Sequence, residues 1–122
     1  NIVYQYKAAW DAYLLRRYAE SLPYLERVEA EDPGYEQTLF LKGFKLQMLG
    51  RMEDSVACYR KFLSLKRDDF QVRFNLAFAL MTLERCDEAA PHLRRALELR
   101  PDHREALALL DTCSARSAKK RP

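Results

Sequence analysis

Glycine and proline are scarce in this chain of 122 residues, with 3 Gly and 5 Pro. A strand-and-turn protein uses both freely at its turns, so their scarcity argues against an all-β fold. Cysteine is also sparse and odd in number: Cys58, Cys86 and Cys113. No pair has metal-ligand spacing, and the count does not make a disulfide framework. A reducing, cytoplasmic setting is therefore expected. Only His92 and His103 could offer imidazole, and their separation is too wide for two ligands of one metal. No apolar run approaches the ~20 residues that cross a bilayer, so no membrane insertion is expected. No glycine-rich phosphate loop and no nucleophile with a nearby base appear, so no catalytic residue, metal or cofactor is expected. The chain does not start with Met, so its lack of a signal peptide carries little weight.

An excess of one charge is missing too. The formal net charge is +3, but four of the 21 basic residues, Arg116, Lys119, Lys120 and Arg121, fall in the last seven positions. The remainder holds 17 basic against 18 acidic residues. A nucleic-acid-binding domain spreads its basic residues over a face, so nucleic acid is not the expected partner. Residues 117–122 read as a disordered basic tail.

What is present is helical periodicity and internal repetition. Glu36 to Leu49 reads as one helix stopped by Gly50, and about Glu53 to Lys66 as a second. The acids Glu53 and Asp54 suit the positive end of the second helix. Shifted by 34 residues, the sequence repeats its sizes without a gap. Ala9, Gly43 and Ala77 are small, as are Ser21, Ser55 and Ala89. Leu25, Tyr59 and Leu93 are large. Tyr18, Met52 and Cys86 share a column, which makes Cys86 a small core residue, and Pro33 aligns with Pro101. Closely crossing helices need small residues at the crossing and large ones beside it.

A 34-residue helix–turn–helix period resembles the tetratricopeptide repeat. The copies span about Ile2–Tyr35, Glu36–Asp69 and Phe70–His103, with a seventh, capping helix over about 104–116. The third carries most of the family pattern: Leu76, Ala77, Leu80, Ala89, Leu93, Ala96 and Pro101. The second departs at Phe62 and Arg67, and the first at Gln5. The resemblance implies an all-α, right-handed superhelical array forming one domain over residues 1–116. Pro23 and Pro91 are expected in the first turns of second helices, and Asp87 as an N-cap. Both histidines are expected at the surface.

The first helix of each repeat has a second apolar stripe beyond the one that packing uses. Tyr6, Phe40 and Phe74 form one column, and Trp10, Phe44 and Phe78 another. Tyr13, Gln47 and Met81 follow one turn later, with Met48 beside them. The resemblance places these columns on the concave wall, rimmed by Gln37, Gln71 and Glu105. For the Tyr6 column, packed and open readings stand level. The Trp10 column is expected to be open. The implied function is an interaction scaffold that takes an apolar or amphipathic peptide, helical or extended, in this groove. The occupant is a protein segment in trans, a flanking segment of a longer chain, or a second copy in a homodimer. Two alternatives stand beside it: a dedicated chaperone similar to type III secretion translocator chaperones, and a regulatory domain of a larger enzyme.

Family adaptors that clamp a heat-shock chaperone's terminal carboxylate use Lys, Asn and Arg on these helices. The matching positions hold Tyr6, Trp10, Leu41, Gln71 and Asn75, and none fits. A register one repeat later keeps only Asn75. An apolar wall does not stabilise a carboxylate, so that ligand is not expected.

Overall fold

The computed structural model describes residue 16, residues 36–65 and residues 68–120. Expectations for the first repeat, including Tyr6, Trp10, Tyr13 and Pro23, lie outside the described residues, as does the side chain of Gln37. Within them are five helices and no strand: α1 (Glu36–Met48), α2 (Met52–Ser64), α3 (Phe70–Thr82), α4 (Cys86–Leu99) and α5 (Arg104–Lys120). Each packs on the next, and α3 also touches α1 and α5. The first helices α1, α3 and α5 thus form one layer and the second helices α2 and α4 the other. This is a helical repeat array.

Local chemistry sets the boundaries. After α1, Gly50 takes a φ of +80°, its N–H donates to the Gln47 carbonyl (3.1 Å), and Arg51 N–H donates to Leu46 (2.8 Å). That pair of bonds is a Schellman stop, which needs a left-handed residue. The same stop ends α3, with Glu84 N–H on Met81 (2.9 Å) and Arg85 N–H on Leu80 (2.8 Å). Here the left-handed residue is Glu84, at a φ of 58°. N-caps also repeat. Asp69 accepts from Val72 N–H at 3.0 Å to start α3, and His103 Nδ1 accepts from Ala106 N–H at 3.2 Å to start α5. Asp69 and His103 share a column.

The predicted crossings are tight. A Cβ on Gly43 would lie 2.7 Å from Tyr59 Cε1, and Ser55 Oγ donates to the Gly43 carbonyl at 2.7 Å. In the next repeat Ala77, Ala89 and Leu93 are all fully buried. Each small residue lets the backbones approach, and each large one fills the space beside the contact.

Four expectations are corrected. Asp87 is not the N-cap of α4, because the helix already begins at Cys86; Asp87 sits in its first turn. Pro91 lies past that first turn and cannot supply the N–H owed to the Asp87 carbonyl. The basic tail is helical as far as Lys120, beyond both the predicted end of α5 and the predicted start of disorder at 117. Ser117 Oγ donates to Asp87 Oδ1 at 3.0 Å and ties this extension to α4. Neither histidine is fully exposed: both are half-buried.

The helix α5 holds the register of a first helix, yet differs where a second helix would sit. Earlier first helices carry Leu39, Gly43 and Leu46, or Arg73, Ala77 and Leu80; α5 carries Leu107, Asp111 and Ser114. Leu107, Asp111 and Ser114 are exposed, while Ala106, Leu109 and Cys113 join the core on the other side. This suits a helix that closes the apolar edge of an array.

Candidate functional site

The candidate surface is the outward side of the α1–α3–α5 layer. Burial divides the predicted residues. Phe44 is 1% exposed and Phe74 2%; Gln47 and Met81 are also buried. Phe40 and Phe78 are half-buried against the core, and Met48 is 39% exposed. The expectation that Phe44 lies open is therefore corrected: its ring is enclosed. For Phe74 the packed reading applies. Its ring stacks on Phe70 (centroids 5.9 Å apart) and meets the His103 ring edge-on at 5.6 Å. Arg100 covers the other partner, with its guanidinium 4.5 Å from the Phe70 centroid.

Gln47 is held inward by a hydrogen-bond chain that crosses the repeats. Tyr59 O–H donates to Gln47 Oε1 at 2.8 Å. Asn75 Nδ2 donates to Tyr59 Oη at 3.5 Å, and Gln71 Nε2 donates to Asn75 Oδ1 at 2.6 Å. The chain satisfies polar groups that would otherwise be stranded in the core. It also removes Gln47 and Asn75 from any surface role. Glu105, expected at the rim, is buried.

The sequence columns missed how the wall continues onto α5. Phe74 gives way to Ala108, Phe78 to Thr112, Met81 to Ala115, and Met48 and Thr82 to Arg116. Thr112, Ala115 and Arg116 are exposed and Ala108 is half-buried. The signal was available, because the same 34-residue step that defines the repeats leads straight to these positions. Thr82 and Thr112 each turn their hydroxyl onto a carbonyl of their own helix, Phe78 and Ala108, at 3.0 Å. The accessible wall is thus Phe40, Met48, Phe78 and Thr82, continued by small residues and ending at a cation.

Charge gathers elsewhere, at the junctions of the second helices. Arg85 bridges Glu53 (3.3 Å) and Glu88, and Arg60 also reaches Glu88 at 3.2 Å. The bond from Arg85 above all holds the Glu88 carboxyl down to about 2. Burial alone would raise Asp68, but Arg95 and Arg73 bond to it and hold it below the usual carboxylate range. Arg73 in turn lies 2.9 Å from His92 Nδ1. Burial first, then Arg73 and Arg60, push His92 down. His103 is lowered as well, by burial and then by Arg100. Among the described residues no group of three or more His, Cys, Asp or Glu is arranged to hold a metal ion. No described helix is long and apolar enough to cross a membrane.

Comparisons agree with this geometry. The chain is 32% identical over 72 residues to protein arginine N-methyltransferase 9 of Mus musculus, and equally to that of Homo sapiens. The match covers 59% of this chain but spans only 8% of the length of those curated relatives. Among solved structures it superposes on a MamA double mutant (RS-1) with a TM-score of 0.74 at 20% identity, covering 98% of this chain and 68% of that one. YrrB, a TPR protein with an unusual peptide-binding site, gives 0.73 at 19% identity, covering 84% and 53%. Both likenesses are of fold. The tetratricopeptide repeat profile itself matches residues 37–69 and 70–103, the α1–α2 and α3–α4 pairs, which is more than half of the chain. With two profile matches in register and the same crossings in both, this chain belongs to the tetratricopeptide repeat family.

Proposed function

We propose that the array is a protein-interaction scaffold whose first-helix layer takes an apolar or amphipathic segment of a protein partner. The observation that carries this is the partial exposure of Phe40, Met48 and Phe78 in one register, on helices whose opposite stripe is already buried. Aromatic and Met side chains concentrate binding energy at such surfaces. Phe44, Phe74, Gln47 and Met81 serve as the backing that fixes those groups; Tyr6, Trp10 and Tyr13 belong to the same columns one repeat earlier. The family supports the class of function, and YrrB supplies a relative of the same fold described as binding peptide.

The test is titration of fluorescent amphipathic and extended apolar peptides against three variants. Phe78→Ala and Met48→Glu should each weaken binding about tenfold, roughly 1.4 kcal/mol. Leu107→Glu alters an exposed leucine off this wall and should bind as the unaltered chain does. Equal loss in all three variants, or none in the two wall variants, would overturn the assignment.

A second reading is favoured by the 32% identity to an arginine methyltransferase. In it the array is a regulatory domain of a larger protein, holding a protein substrate for a neighbouring catalytic region. Deleting residues 36–120 from such a chain should slow methylation of the whole protein substrate and spare a short peptide from it. Equal slowing of both would count against this reading.

A further inference from the structure

The wall changes character at its last helix. On α1 and α3 its accessible residues, Phe40, Met48, Phe78 and Thr82, are uncharged. On α5 the same stripe runs from Thr112 to Arg116 and Lys119, four and seven residues further on and therefore on one face. Both cations are exposed, and among the described residues neither takes part in a salt bridge. Glu105, on the same face, is buried, and the exposed acid of α5, Asp111, lies on another side.

Arg116 and Lys119 border a cavity of about 620 Å³ between α5 and the turn that joins α3 to α4. Three acids also line it: Glu84, Asp87 and Glu88. Two of these are engaged. Arg85 and Arg60 bind Glu88, and Asp87, on the second-helix layer, accepts from the Ser117 hydroxyl at 3.0 Å. That leaves Glu84 in the turn, one uncommitted carboxylate against two cations.

We infer that the partner segment carries an acidic side chain at the end that lies over α5, where Arg116 and Lys119 receive it. The inference rests on the wall being the binding surface, and adds to it a polarity: apolar residues over α1 and α3, an acid over α5. The uncharged part of the wall would reject a carboxylate by desolvation. The α5 end offers a guanidinium, which can take both oxygens of a carboxylate, one turn from an ammonium. Both cations remain in water, so the pairing orients the segment and speeds its association more than it raises total affinity. Packed helices lie about 8–10 Å apart, which an extended segment crosses in about three residues. An extended partner thus places its acid about three residues beyond the side chain that meets Phe78.

The test uses an end-blocked extended peptide with a neutral dye, bearing apolar anchors for α1 and α3 and then Glu at that spacing. Two further peptides carry Gln or Lys in place of the Glu. The Glu peptide should bind about fivefold more tightly than the Gln peptide at low ionic strength, the Lys peptide should be weakest, and the gap should close in concentrated salt. An Arg116→Gln, Lys119→Gln variant should bind the Gln peptide as before and lose the preference for Glu. A Lys61→Gln, Arg94→Gln variant removes the same charge from exposed positions on α2 and α4, and should keep that preference. Glu and Gln peptides that bind alike, a preference that survives in the α5 variant, or one lost equally in the α2–α4 variant would overturn the inference, while a Gln peptide still weakened by Phe78→Ala leaves the wall standing. A Gln peptide that fails to bind, or binds Phe78→Ala unchanged, would remove the wall and this inference with it.

Discussion

A methyl group added at Gly43 would sit 2.7 Å from Cε1 and 2.9 Å from Cδ1 of Tyr59, a ring with no exposed surface. Gly43→Ala should therefore destabilise the array by about 1–3 kcal/mol, read as a lower urea midpoint with an unchanged slope. Glu84 presents the opposite case. It occupies the left-handed position that Gly50 fills one repeat earlier, so Glu84→Gly should stabilise by roughly 0.5–1 kcal/mol. Phe44→Ala should cost about 3–5 kcal/mol as a core truncation, whatever it does to binding. The small and large columns that set the crossings were legible in the sequence, because sterics at a crossing admit few residue types. The enclosure of Phe44 was not. Periodicity tells which side of a helix a ring is on, but not how closely neighbouring side chains surround it.

Between elements, the junctions respond to proton concentration. His92 and His103 both have their proton affinity lowered below the ordinary 6.5 on folding. The unfolded chain then binds protons first as pH falls. Stability from these groups is complete above about pH 6.5 and is lost below it. For His103 the geometry gives the same sign. Its Nδ1 accepts the Ala106 N–H, and an imidazolium has no lone pair left to cap α5. The urea midpoint should fall between about pH 7 and about pH 5.5, and fall less in a His92→Gln, His103→Gln variant. Among the described residues, the helix order, turns and small-residue crossings followed from the 34-residue period. The extent of α5 did not, because a basic run reads as solvated until its Ser117–Asp87 tether to α4 is seen. The His103 cap has a legible counterpart: Asp69, a familiar capping residue, stands 34 positions earlier.

Across the described helices, the apolar stripe of one repeat is buried against the next, so stability is shared between neighbours. The core cluster runs from Leu39 on α1 to Cys113 on α5 without a break between repeats. Leu109→Ala on the closing helix should lower the midpoint for every helix together, by about 2–4 kcal/mol, as circular dichroism would report. The two faces of α5 also bear on how long such an array can grow. Its inner side continues the wall, but Asp111 stands where Gly43 and Ala77 admit a second helix. Seating another helix there would drive a carboxylate out of water. Anyone grafting extra modules onto this end would have to exchange that acid for alanine before the splice could close.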